Sequence, residues 1–323
     1  MQDLNDNAPH RPAHAAPAHA APPVSDTGTA MPEVMPRKRH RIYDNRILAL
    51  FANVILFLAV SNMLSLVVVV AIIALDGIGV ISLANPIGEA TAEQTGLITS
   101  TCSILTGIWL QLFMHERRVR GEQESVVKWS RRGMLLVLPA VTFAIINLIG
   151  VTAEKLATMN PIPYCLVMAL APGISEEVMF RGTTGSNWMR VRGEARDILP
   201  GCLVTSLAFG LTHATNALSG APLGATAFQV YYAFCLGMIF DAVLLRSGSI
   251  VPAMIMHTLI DFTGFLFMDM SRGGIITEEL TIDFSFFATL FAAAALCTWA
   301  LYLLRPSKHE EIVALWNKKC YRG

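Results

Sequence analysis

Three short stretches of this chain combine chemistry-bearing side chains with helical spacing. Glu176, Glu177 and Arg181 lie in SEEVMFRG, Phe209 and His213 in FGLTH, and His257 and Asp261 in HTLID. On a helix, residues four apart share a face and adjacent residues diverge by about 100°. Glu177 can therefore pair with Arg181 while Glu176 points elsewhere, His257 stacks on Asp261, and the Phe209 ring sits one turn from His213. A carboxylate beside a histidine in a dry, enclosed site can take a proton from water, because desolvation strengthens it as a base. A second histidine, held by an aspartate one turn on, can donate a hydrogen bond to the oxyanion formed when water attacks a carbonyl. The same letters also permit a zinc site, with Glu176, His213 and His257 as three ligands and water in the fourth position. No H-E-x-x-H is present. That removes the usual helical zinc signature but not a site assembled from several helices, so both chemistries stay open.

Such residues need elements to hold them, and the composition says what those are. Hydrophobic residues make up 54% of the 323 and charged residues only 15%, far from a soluble domain of this length. A spanning helix needs about 20 mostly apolar residues, and Ile47 to Leu75 meets this outright. Seven further candidates lie near Gly96 to Met114, Gly133 to Thr152, Ile162 to Gly185, Pro200 to Leu218, Leu223 to Leu245, Ser249 to Met268 and Phe284 to Leu304. The expected fold is all-α, a polytopic membrane bundle of about eight transmembrane helices. A charged side chain at the centre of a span costs roughly 2.5 to 3.5 kcal/mol on insertion scales and usually faces the bundle interior. The three motifs fall on three different spans. Counted at about 1.5 Å per residue from the cytoplasmic ends, their polar groups lie at about 12 to 21 Å, so they can meet in one chamber. Asp241, a turn from a span boundary and near Arg246, reads instead as a snorkelling or paired residue.

Lys and Arg accumulate on the cytoplasmic side, and an eight-span count puts all but Lys155 and Arg272 of the 24 basic residues there. Both termini are expected in the cytoplasm of a cell-membrane protein. Residues 1–41, rich in Ala, Pro and His, have no periodic apolar pattern and read as a disordered cytoplasmic tail. Residues 42–152 hold the first three spans, 153–305 the core that carries the motifs together with the last span, and 306–323 a second cytoplasmic tail. The six cysteines contain no C-x-x-C pair, and five sit within spans as small apolar residues, so no disulfide framework or zinc knuckle is expected.

The three motifs in order resemble the CAAX protease and bacteriocin-processing enzymes, the CPBP or Abi family, which includes the type II CAAX prenyl endopeptidases. The family's E-E-x-x-x-R is matched by Glu176, Glu177 and Arg181, its F-x-x-x-H by Phe209 and His213, and its H-x-x-x-N/D by His257 and Asp261. The resemblance runs roughly from Cys165 to Phe265. It implies an intramembrane endopeptidase of helical-bundle fold that acts on membrane-associated protein or peptide substrates. Glu176 would activate water alongside His213, His257 and Asp261 would shape the oxyanion site, and Glu177, Arg181 and Phe209 would support it. No cofactor is favoured, and zinc is the possible one. The eukaryotic endopeptidases carry Asn where this chain has Asp261, which leaves metal binding and the oxyanion role open. The expected partners are the substrate and the lipid bilayer, with no nucleic acid. The alternative is a non-catalytic scaffold or immunity protein built on the same core.

Overall fold

The computed structural model describes residues 45–80, 92–119, 125–149, 151–191, 193–270 and 276–319. The expected tail over 1–41 lies outside the described residues. Every regular element described is helical, and the architecture is the all-α membrane bundle that the apolar runs demand.

Among the described residues, seven helical stretches are long and apolar enough to cross a membrane, and an eighth is shorter. Helix α1 (Arg46–Gly77) starts where Asn45 accepts hydrogen bonds from the Ile47 and Leu48 amides, satisfying two of the amides a helix start leaves free. Most of its surface is exposed and apolar, from Phe51 and Ile55 to Leu66 and Val70, as lipid contact requires. Helix α2 (Ala92–Val119) packs between α1 and the first motif helix. The third span starts at a Ser130 cap as α3 (Arg131–Val137), tightens into a 3₁₀ turn at Leu138–Ala140, and continues as α4 (Val141–Leu148). Pro139 accounts for the break, since it brings no amide hydrogen to the ladder. A short α5 (Ala153–Ala157) precedes α6 (Ile162–Glu177).

The first motif helix then widens. Residues Val178–Gly185 form a π-helix before the chain resumes as α7 (Ser186–Val191). The Thr183 and Thr184 hydroxyls both reach the Met179 carbonyl, at 2.5 and 3.2 Å, and the Ser186 hydroxyl reaches the Gly182 carbonyl at 2.5 Å. These side chains satisfy carbonyls that the widened turn leaves exposed.

Helix α8 (Ile198–Thr212) runs into a 3₁₀ segment, His213–Ser219, and α9 (Leu223–Ser247) returns beside it. From Cys235 to Arg246 every residue of α9 is buried, so α9 is the axis on which α8, α11, the π-segment and the C-terminal helix pack. A helix apolar on all sides belongs in such a position. Helix α10 (Val251–Phe265) has 15 residues, about 22 Å of rise, short of a hydrocarbon core of about 30 Å. Helix α11 (Phe284–Leu303), capped by Asp283 on the Phe286 amide at 2.9 Å, is the last span.

Close approach of α6 and α10 sets the site. A Cβ on Gly173 would stand 2.1 Å from Thr258 Oγ1, so only glycine lets the two helices meet there. This is the small-residue packing common to membrane helices.

The C-terminal segment read as a tail is in part a packed helix, α12 (His309–Lys319). Trp316 is fully buried, and its indole N–H donates to the Leu245 carbonyl at 3.1 Å. The Lys319 ammonium donates to the Ser125 carbonyl at 3.2 Å. Basic residues from distant segments meet at this end of the bundle. Arg46 pairs with Asp197 at 2.7 Å, and Glu311 takes Arg132 at 2.5 Å, Arg246 at 3.2 Å and Lys308 at 3.7 Å.

Arg132, with Arg246 and Lys308 behind it, holds the Glu311 carboxyl below the ordinary carboxylate range. A depressed carboxyl contributes stability that is present above its unfolded pKa and lost as pH falls through the folded value. The docking of α12 is therefore expected to loosen toward acid, as read by Trp316 fluorescence. Because the Glu311 side chain is 42% exposed, solvent screening keeps the cost of Glu311→Gln at neutral pH below about 1 kcal/mol. An acid response unchanged in that variant would rule Glu311 out as its source.

Candidate active site

The three motifs converge, but around a different centre than their spacing suggests. That centre is His257, halfway along α10. Its Nδ1 lies 3.0 Å from Glu177 Oε1 and its Nε2 lies 3.4 Å from Asp261 Oδ2. The i,i+4 stacking of His257 on Asp261 is thus as the sequence predicts, whereas the bond to Glu177 joins residues 80 apart and is invisible to local spacing. An ionised carboxylate only accepts hydrogen bonds. Using both contacts as hydrogen bonds therefore needs both ring nitrogens to carry hydrogen, the imidazolium form.

Glu177 Oε1 also takes Arg181 Nη1 at 3.1 Å, and both side chains are fully buried. This is the predicted internal pair, now shown to share its oxygen with His257. On its other side Arg181 Nε lies 3.4 Å from Asp241 Oδ1. The sequence reading tied Asp241 to Arg246 near a membrane boundary, and the structure corrects this. Asp241 is 2% exposed and pairs with Arg181, while Arg246 donates to the Leu303 carbonyl and pairs with Glu311. The physical reason is Gly237. One turn before Asp241, it admits Arg181, whose Nη2 would lie 3.1 Å from a Cβ placed there. Arg181 and an imidazolium at His257 offset the carboxylates of Glu177 and Asp241, with Asp261 a further carboxylate at the edge of the network. A low-dielectric interior tolerates that far better than any one of them alone.

Phe209 holds this network from α8. The Arg181 guanidinium carbon lies 4.3 Å from its ring centroid, and the His213 and His257 rings meet it edge-on at 5.1 and 5.8 Å. Phe180 and Phe240 complete an aromatic box around Arg181, and Phe240 also stacks on His257 at 5.6 Å. A desolvated cation over aromatic faces gains about 2 kcal/mol, which helps offset the burial of Arg181.

His213 sits at the junction of α8 and the 3₁₀ segment, half-buried, with Nδ1 3.0 Å from the Phe209 carbonyl. If Nδ1 donates there, Nε2 is left as an acceptor. Glu176 is half-buried and its Oε2 is enclosed without a hydrogen-bond partner. The structure thus joins Glu177, Arg181, Phe209, His213, His257 and Asp261 through direct contacts, and Glu176 stands beside Glu177 at the end of α6.

Thr205 and Ser206 are residues the sequence reading missed. Their hydroxyls lie 2.7 and 2.8 Å from Asp241 Oδ2. A signal was available for Thr205, since Thr205, Phe209 and His213 are spaced four apart and share one face of α8.

A zinc site needs three protein ligands around one point. Among the described residues no three His, Cys, Asp or Glu side chains are gathered to hold a metal ion.

No curated protein and no solved structure matches the chain. A family model does, that of the type II CAAX prenyl endopeptidase Rce1-like proteins, over residues 158–263. The matched third of the chain runs from just before α6 to the end of α10 and contains every residue of the network around His257. Over that stretch this multi-pass membrane protein is similar to the Rce1-like type II CAAX prenyl endopeptidases.

Proposed function

We propose that this protein is an intramembrane endopeptidase that hydrolyses peptide bonds of membrane-associated protein or peptide substrates, with water activated by Glu176. The observation that carries this reading is the division of labour between adjacent carboxylates. Glu177 is committed through Oε1 to Arg181 and His257, whereas Glu176, whose Oε2 is likewise enclosed without a partner as Glu177 Oε2 is, is held by neither cation, as a base awaiting water would be.

Glu176 takes a proton from water as the oxygen attacks the scissile carbonyl, and the proton passes on to the leaving amine. His213 orients the same water through Nε2. His257 faces the developing oxyanion with the N–H that it otherwise shares with Asp261. Its contact to Asp261, at 3.4 Å, is longer than an ordinary hydrogen bond and easily yielded. Its contact to Glu177, at 3.0 Å, fixes the ring. Arg181, Phe209 and Asp241 hold that arrangement from behind. No step requires a metal.

The test compares membrane proteins from cells carrying the wild type or Glu176→Gln, in a search for new termini that appear only with the wild type. Identical sets of termini would overturn the reading in favour of a non-catalytic scaffold.

The same proposal places the protein in the cell membrane with both ends of the chain in the cytoplasm. It rests on the gathering of Arg46, Arg132, Arg246 and Lys308 at one end of the bundle and on the tendency of Lys and Arg to stay cytoplasmic. A reporter fused after Ser307 is expected to read as cytoplasmic, and an external reading would reverse the assignment.

A further inference from the structure

Behind the Arg181 network, on the side of the bundle where Arg46 meets Asp197, a narrow cavity runs between α7, α8 and α9. Its lining includes Trp188, Asp197, Gly201, Thr205 and Asp241, and the rest of the wall is glycine, apolar side chains and Cys202. It leaves about 10 Å³ for the centre of a water-sized sphere, which is room for one water molecule.

Two polar atoms with no hydrogen-bond partner belong to this lining. One is the Trp188 indole Nε1, a donor, and the other is Asp241 Oδ1, an acceptor, on residues 8% and 2% exposed. Asp241 Oδ1 has the Arg181 charge 3.4 Å away but no aligned donor. Its second oxygen takes the Ser206 hydroxyl at 2.8 Å, while the donor on Thr205 is shared. The Thr205 hydroxyl has a single hydrogen, and it lies 2.7 Å both from Asp241 Oδ2 and from the Gly201 carbonyl. Buried polar groups in folded proteins find partners, and ordered water is the usual remedy where side chains fall short.

We propose that this cavity is a binding site for one water molecule, which accepts a hydrogen bond from the Trp188 indole and donates to Asp241 Oδ1 and Thr205 Oγ1. The three partners match the number a buried water typically makes. A metal cation is disfavoured by the chemistry of the lining, because the indole presents a hydrogen where a cation needs a lone pair. The lining reaches Asp197 at the start of α8, whose side chain is 13% exposed, so the water exchanges with solvent at that end. Held this way, Asp241 stays available as the second carboxylate on Arg181, and Arg181 is gripped from both sides.

Two glycines create the space. A Cβ on Gly201 would stand 2.5 Å from the Trp188 ring, and one on Gly185 would stand 3.2 Å from Asp241 Oδ1, where the water belongs.

The experiment is proton-detected NMR of the full chain, 15N-labelled at tryptophan, in lipid bilayers, reading magnetisation transfer from water to each indole N–H. The Trp188 signal is assigned by its loss in Trp188→Phe. Should that variant fail to fold, assignment comes from selective labelling of the Trp188–Met189 pair. The expected result is a water cross-peak at the Trp188 indole that disappears in Gly185→Ala while the indole signal itself remains. A Trp188 indole with no water cross-peak in the wild type would overturn the proposal. So would a cross-peak that survives Gly185→Ala unchanged, or an indole shift that follows added sodium or potassium.

Discussion

Glu176→Gln is expected to lower peptide hydrolysis by about 10² to 10⁴-fold, the usual contribution of a positioned general base, with the yield of folded protein unchanged. The amide keeps the shape of the side chain and removes its basicity. Because Glu176 Oε2 makes no hydrogen bond in the structure, the substitution strands no partner. His213→Ala is expected to fall comparably. His257→Ala should lose about 10² to 10³ through the oxyanion contact, together with some stability from the Glu177 oxygen it abandons. Asp261→Asn keeps a group on His257 Nε2 and should retain much of the activity. Hydrolysis by purified protein should also survive exhaustive chelation. Copurifying zinc near one equivalent, with activity abolished by chelator and restored by the metal, would sink the water-activation scheme.

The second large effect concerns folding. Arg181→Ala is expected to remove most of the folded protein, because it strands Glu177 and Asp241 as two buried carboxylates. Breaking a buried pair from one side costs about 3 to 5 kcal/mol, and here one cation serves two anions. Glu177→Gln should act in the same direction, since it removes the oxygen shared by Arg181 and His257. Arg181→Lys is expected to rescue only partly, for an ammonium cannot reach both carboxylates with the planar fork of a guanidinium. The check is detergent-solubilised yield and thermal unfolding beside Glu176→Gln as control. Equal yields for all variants would show that the network is not a structural necessity.

What was legible in the sequence was whatever repeats locally. Long apolar runs announced the spans, and i,i+4 spacing announced the Glu177–Arg181 and His257–Asp261 contacts. The Glu177–His257 bond was not legible, because it depends on how closely α6 and α10 approach, and that is fixed by the lack of a side chain on Gly173 against Thr258. Asp241 was misplaced for a related reason. Arg246 is near it along the chain, but five residues apart on a helix is a poor match of faces, and the missing side chain of Gly237 leaves room for Arg181 to reach the carboxylate instead. The shortness of α10 escaped notice because apolar residues continue past Phe265 after the helix has ended. The docking of α12 depends on Trp316 reaching the Leu245 carbonyl 71 residues away, which no window of sequence contains.

The widened turn at Val178–Gly185 separates two anchoring duties that one rod must perform. An α turn closes at i→i+4 and a π turn at i→i+5, so each π turn stores one extra residue. That surplus turns everything downstream by about 100° per residue relative to uninterrupted α winding. Upstream of it, Glu176 and Glu177 address the site. Downstream, Trp188 lies under the Arg46 guanidinium at 5.1 Å and Arg190 lies over the Trp316 ring at 5.8 Å. The segment is therefore a phase adjuster between chemistry and mooring. Deleting a single residue after Arg181, between Gly182 and Gly185, would leave hydropathy, length and motif letters almost untouched, yet swing Trp188 and Arg190 off their partners or drag the carboxylates out of aim. In this protein the tolerance of that stretch to insertion and deletion should be close to nil, although it contains no residue assigned to bond-breaking.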